Sequence, residues 1–257
     1  MKPFNSVVSS ALILLWLLSF AVSSGFAGNS ADSGKTSGVN NQESEMSSVP
    51  PAFVEDEKSK LVRLSLAVSS NDLEVVEALL RQGMSPDADT DGGGLTPLML
   101  AESAEMVKLL LESGADARKT DNRGWNCLHH AATRSGDSRA LSSLIRAGAD
   151  PSLRNTDGDT PVLLARILFI EKIAPEWGKD LLVLLVDSGA NIDATDSQGM
   201  TLLHYAATSD CVELAKICLE LGADPEKMTS YGKSASQLAR ELKARKVHEQ
   251  FSEWSGE

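Results

Sequence analysis

Apolar residues recur along this chain at a helical period, in pairs of short blocks separated by glycine. Leu64, Ala67, Leu73, Val75, Val76, Leu79 and Leu80 give the first pair, with Asn71-Asp72 between them as helix stop and N-cap and Gly83 at the end. Thr96-Pro97-Leu98-Met99-Leu100-Ala101 opens a second pair, followed by Met106 to Leu111 and Gly114-Ala115-Asp116. A third runs from Asn126-Cys127-Leu128-His129-His130-Ala131-Ala132 through Leu141, Leu144 and Ile145 to Gly148-Ala149-Asp150-Pro151. The most regular unit is Thr201-Leu202-Leu203-His204-Tyr205-Ala206-Ala207, then Leu214, Ile217 and Cys218, then Gly222-Ala223-Asp224-Pro225. Small Ala206 and Ala207 let a first helix lie close to its neighbour, and Gly222 suits a left-handed helix C-cap.

The fourth pair is irregular. Thr160-Pro161-Val162-Leu163-Leu164-Ala165 continues through Ile167, Leu168, Phe169, Ile170 and Ile173 until Pro175-Glu176-Trp177-Gly178. From Thr160 to Gly189 it is eight residues longer than Thr201 to Gly222, whereas Thr96 to Gly114 is three residues shorter. The pattern therefore predicts a lengthened first helix and a Trp-bearing loop in the fourth unit, and a clipped interhelical turn in the second. Local packing and partner contact are both open for that loop. Ser234-Ala235-Ser236-Gln237-Leu238-Ala239-Arg240 is an eroded opening of a last unit with Val247, Phe251 and Trp254.

The openings at Thr96, Asn126, Thr160, Thr201 and Ser234 lie 30, 34, 41 and 33 residues apart. With their Thr-Pro-Leu and Gly-Ala-Asp signals they resemble the ankyrin-repeat family, whose unit of about 33 residues is a turn and two antiparallel helices. The resemblance implies an all-α solenoid over residues 58–257, with units near 58–91, 92–121, 122–155, 156–196, 197–229 and 230–257. The first and last units are expected to be caps, Arg63 and Ser65 suiting an outer flank that faces water. The resemblance also implies that His129 and His204, at one position of the opening, make a structural hydrogen bond to the neighbouring turn.

Lys2, the apolar run from Ala11 to Val22 and Gly25-Phe26-Ala27 read as a secretory signal peptide over residues 1–27, too short an apolar run to span a bilayer. Residues 28–57, rich in Ser, Asn and Gly, read as a disordered tether, with folding expected to begin near Ala52-Phe53-Val54. Export, with no Asn-x-Ser/Thr sequon in the sequence, points to a bacterial periplasm or secretion, and to no stable membrane insertion after cleavage. The 24 Lys+Arg against 36 Asp+Glu give a net charge of −12. That balance argues against nucleic acid and anionic lipid as partners. Cys127, Cys211 and Cys218 are too few for a disulfide framework and read as buried or half-buried apolar residues, with a regulatory or intermolecular thiol as the alternative.

Chemistry has few footholds. No nucleophile with a base, phosphate loop or catalytic carboxylate pair is legible, so no enzyme, cofactor or metal is expected. Cys127, His129 and His130 are close in sequence, but consecutive His residues point to different sides of a helix. Asp87-Ala88-Asp89-Thr90-Asp91-Gly92 copies half a calcium loop, yet its twelfth place is Leu98, where a bidentate Glu belongs; turn chemistry accounts for it.

What remains is a surface of turn tips, with Leu95, Arg123, Trp125, Met200 and Tyr231, and of first helices, with Glu102, Thr133, Arg134, Arg166, Thr208 and Ser209. Trp and Arg dominate protein interfaces. The reading is a monomeric scaffold that binds another protein through its concave face, using Arg123, Trp125, Arg134, Arg166, Met200 and Tyr231, with Trp177 as a second contact. An immunity or inhibitor protein against a secreted enzyme or toxin is the alternative, as is a helper of a periplasmic enzyme such as a catalase, which the resemblance implies. A calcium- or metal-dependent enzyme is the rival from another class.

Overall fold

A computed structural model describes residues 56–255 except Ser135, all within one compact unit spanning Phe53–Glu257. The expected signal peptide, and the expected tether up to Glu55 with its folding start, lie outside the described residues. Helices follow in pairs: α1 (Glu57–Ser69) and α2 (Leu73–Arg81), α3 (Pro97–Leu100) and α4 (Ala104–Glu112), α5 (Cys127–Ala131) and α6 (Ser138–Arg146). Then come α7 (Pro161–Leu164), α8 (Arg166–Ile170) and α9 (Pro175–Asp187), α10 (Leu202–Thr208) and α11 (Val212–Glu220), and α12 (Ala235–Glu241) and α13 (Arg245–Ser255). There is no strand among the described residues, and the one β-bridge joins Met228 to Ser234.

Capping side chains fix where several of the helices start. Asp72 and Ser103 accept the N–H three residues on, from Val75 at 3.1 Å and Met106 at 3.1 Å, which satisfies donors a helix start leaves open. Asn126, Thr201 and Ser234 form reciprocal capping boxes with His129, His204 and Gln237. First helices stack on first helices (α1 on α3, α3 on α5, α5 on α7, α10 on α12), and α4 packs between α2 and α6. Their facing Leu and Ala residues make one continuous core from Leu64 to Phe251. The second unit is shortened as the spacing predicts, but in its first helix and not in the turn between helices: α3 has four residues against seven in α10, and residues 101–103 join its pair just as 209–211 join the other.

The fourth unit departs from expectation. Its first helix is extended, but as α7 and α8 joined at Ala165. Pro175-Glu176-Trp177-Gly178 is not a loop: it is the first turn of α9, where proline's fixed φ and missing N–H are tolerated at the N1 position. Trp177 is 8% exposed. Gly178 lies against Phe169, where an added Cβ would stand 2.6 Å from the ring. Thus α9 reaches back onto α6, while α8 meets α10 and α11.

A row of backbone bonds ties successive turn tips: Asn122 N–H to Gly93 O at 2.8 Å, Thr156 N–H to Arg123 O at 2.9 Å, and Ser230 N–H to Gln198 O at 2.9 Å. Gly199 shows why the tips hold glycine: its φ is +76°, and a Cβ would stand 2.7 Å from Ser230 N. Between units four and five no corresponding backbone bond exists among the described residues. There one guanidinium nitrogen of Arg154, Nη1, donates to both Gly158 O at 2.7 Å and Thr195 O at 2.6 Å.

Candidate protein-binding surface

Each tip is built around one side-chain acceptor. Asp91, Asp121, Asn155 and Asp196 take equivalent places, and the Oδ1 of each accepts the N–H groups two and four residues on; for Asp121 these come from Arg123 at 2.8 Å and Trp125 at 2.9 Å. The apparent calcium loop belongs to this scheme. Asp89 accepts from Gly92 N at 2.8 Å and Asp87 from Asp116 N at 3.0 Å, so these carboxylates cap backbone amides. Among the described residues no group of three or more His, Cys, Asp or Glu is placed to hold a metal ion.

In two units the second carboxylate oxygen reaches the first helix. Asp121 Oδ2 lies 3.2 Å from His130 Nε2, and Asp196 Oδ2 accepts the Tyr205 hydroxyl at 2.6 Å. His130 and Tyr205 occupy the same place, four residues after the helix-opening Asn126 and Thr201. Burial alone would raise the Asp121 pKa, but hydrogen bonds from His130 and from the Trp125 and Arg123 amides outweigh it and hold the carboxyl below its ordinary range. Burial lowers His130, which stays a neutral imidazole at pH 7, and raises Tyr205.

A cation lies over an aromatic ring beside each of these pairs. The Arg123 guanidinium is 4.2 Å from the Trp125 ring centroid, and Arg166 is 4.5 Å from that of Tyr205. Trp125 is half-buried, its ring 5.2 Å from His130 and 6.0 Å from His129. Arg166 donates to Leu163 O at 2.6 Å and pairs with Asp159 at 3.3 Å. Arg123 is the exposed member, its side chain 61% accessible.

Three of the expected contact residues are committed to packing. Arg134 donates from Nη2 to the Met99 carbonyl and sits 3.7 Å from Glu102, and burial lowers its pKa, so it ties unit three to unit two. Met200 is 6% exposed because Tyr231 of the next unit lies on it, the hydroxyl 3.0 Å from Sδ. Trp177 donates from Nε1 to Ala131 O at 3.3 Å. Tyr231 itself is exposed, as expected. What sequence reasoning missed are His130, Tyr205 and their Asp partners, whose signal was the pairing of a turn Asp with a polar residue nine positions on.

His129 and His204 do make the neighbouring-turn bonds. Each accepts from its own N-cap amide at Nδ1, from Asn126 at 3.2 Å and Thr201 at 3.1 Å, and so donates from Nε2, to Asp159 O at 3.2 Å and Lys233 O at 3.1 Å. Burial lowers both, His129 to about 4. The thiols are free; Cys127 and Cys218 are buried and Cys211 half-buried, and burial pushes Cys127 up to about 12.

Paired helices stacked through shared cores, with turn tips tied edge to edge, define a helical repeat scaffold. A family model described as ankyrin repeats (3 copies) matches residues 64–155 and 130–229, and the chain belongs to the ankyrin-repeat family. It is 35% identical over 154 residues to neurogenic locus notch homolog protein 2 of Homo sapiens, covering 58% of this chain and 6% of that protein. It is 32% identical over 169 residues to neurogenic locus notch homolog protein 1 of Xenopus laevis, covering 64% of this chain and 6% of that protein. The likeness is thus to a small part of each relative. Ankyrin repeats are protein-interaction modules and generally non-catalytic, which makes the chain a protein-interaction scaffold. Among the described residues no helix is long and apolar enough to cross a membrane.

Proposed function

We propose that the chain is an exported scaffold, acting in a bacterial periplasm as a monomer, that grips one other protein through the turn tips and first helices of units three to five. The observation that carries the proposal is the stack of an Arg on an aromatic ring in two units, Arg123 on Trp125 and Arg166 on Tyr205, with a turn Asp holding the Trp125 amide and the neighbouring His130 ring in the first and the Tyr205 hydroxyl in the second. Such rings present a flat apolar face and a fixed charge at little conformational cost, which is what a protein hot spot uses. Catalysis is not part of the role: His129 and His204 are committed to helix caps, and the turn carboxylates to backbone amides. The partner decides between a neutral scaffold, an inhibitor or immunity protein, and a helper of an exported enzyme.

The test is affinity capture from the periplasm of the source cell with the native chain and with Arg123→Ala side by side. A partner held by the native chain and released by the variant supports the reading, and a partner held equally by both sinks it. N-terminal sequencing of the cell-made protein checks export, Gly28 being the expected first residue.

A further inference from the structure

The acid excess that argues against an anionic partner is a sum over the whole chain, and the last unit departs from it. Where α12 turns into α13, Arg240, Lys243, Arg245 and Lys246 stand within seven residues, all four of them exposed. Many cations elsewhere are matched to a carboxylate, as Arg81 is to Glu77, Lys108 to Glu112 and Arg139 to Asp137. Among the described residues no carboxylate lies within ion-pair distance of these four side chains. Glu241, the acid between them, is held by Lys233, and Asp210 of the preceding unit accepts the Val247 N–H at 3.3 Å. The same turn carries Leu242, which is 56% exposed. Buried Ala244 and Val247 pin it from beneath, the Ala244 N–H donating to Ala239 O at 2.9 Å. A leucine is therefore held in solvent on a fixed turn, with unpaired cations before and after it.

We propose that this turn docks the chain on an anionic bilayer surface, with Leu242 entering the headgroup layer and the four cations pairing with lipid phosphates. Each cation held near such a surface strengthens binding about fivefold, and a leucine that leaves water among the headgroups adds its apolar area. A protein partner would need a socket for Leu242 and carboxylates at fixed places, whereas a fluid headgroup layer fits whatever geometry the turn presents. The acidic units are repelled by the same surface. Screening confines both forces to about 8 Å in physiological salt, so the turn in contact outweighs carboxylates further along the array. Held by its last unit, the chain keeps the turn tips of units three to five open to a protein. The docking surface is separate from those tips and does not rest on what they bind.

The experiment is co-sedimentation of the cell-made protein with vesicles of phosphatidylcholine alone and of phosphatidylcholine and phosphatidylglycerol in equal parts. The native chain should pellet with the anionic vesicles only, and should be released at about 1 M salt, where the screening length is about 3 Å. Changing Lys243, Arg245 and Lys246 together to Gln should weaken binding about a hundredfold and Leu242→Ser about tenfold, with melts that match the parent because these side chains are exposed. Lys243→Arg with Lys246→Arg, which keeps the charge, should bind as the parent does, and so should Arg123→Ala, which separates this surface from the tips. Equal pelleting with both kinds of vesicle overturns the proposal, as does a glutamine variant that binds as tightly as the parent or binding that survives the salt. A native chain that ignores the vesicles also overturns it, and if the glutamine variant then frees a captured protein, the turn serves a protein interface instead.

Discussion

The indole N–H of Trp177 donates to the main-chain carbonyl of Ala131, 46 residues earlier and one unit back, at 3.3 Å. The ring fills the space over Gly136, where an added Cβ would lie 2.8 Å from it. The lengthened fourth unit is therefore anchored on the third by its most conspicuous residue, which takes Trp177 out of the contact surface. Trp177→Ala should lower stability by about 3–5 kcal/mol, the range for truncating a buried aromatic, and leave partner affinity unchanged when measured well below the melting transition. Denaturant titration and a binding isotherm on the same variant check both halves.

Arg123 gives the opposite expectation. Its guanidinium lies over Trp125 and 3.9 Å from Asp121 and is largely in solvent, so Arg123→Ala should move Tm by no more than about a degree. Affinity for the captured partner should fall about thirtyfold, equivalent to about 2 kcal/mol at a hot spot. Calorimetric titration with the two proteins decides it. Arg134→Ala should do the reverse, because Arg134 holds the Met99 carbonyl.

The capping imidazoles predict a pH dependence with a definite sign. In the folded state His129 titrates at about 4 rather than at its ordinary 6.5 because burial disfavours the cation. The unfolded chain therefore binds the proton first as pH falls, and stability is full above about 6.5 and declines towards 4. The loss attributable to His129 is at most about 3 kcal/mol, and His204 adds in the same direction. His129→Gln should flatten this slope while still folding, since Gln237 already plays the same capping part in the last unit. Thermal melts of parent and variant between pH 4 and 7.5 provide the comparison.

The last unit should be indispensable as a cover. α12 packs on α10 and α13 on α11, so a chain ended at Met228 bares the flank of α10 and α11 that they cover. Such a chain should aggregate or melt roughly 10 °C or more below the parent. A single monomeric peak in gel filtration with an unshifted melt would refute this.

Most of the repeat was legible because its signals are local: a capping residue, a helical period and a left-handed glycine each act within a few positions. The two misread tryptophan and methionine side chains depend on distant chain. Met200 reads as a free tip residue until Tyr231 of the following unit is laid over it, and spacing within unit five carries no trace of that. Pro175 reads as a helix breaker, and so it is for the helix before it, but the same ring opens α9. Arg134 carried no local sign of its bond to Met99, 35 residues away. The aromatic-plus-Arg surface was legible at Arg123, Trp125 and Arg166. The Asp121–His130 and Asp196–Tyr205 braces that make it rigid were not, because they depend on how a turn folds onto its own helix.

Arg154 leaves one consequence for how the molecule yields. A rung made of an amide N–H is removed by no side-chain change short of proline, since every other residue type supplies the same backbone groups. At the fourth junction the rung is a guanidinium, and it can be removed by changing one side chain. Arg154→Ala should then loosen the register between the first four units and the last two, so that heating or pulling separates the array at that seam first. Force spectroscopy would record it as two rips where the parent gives one.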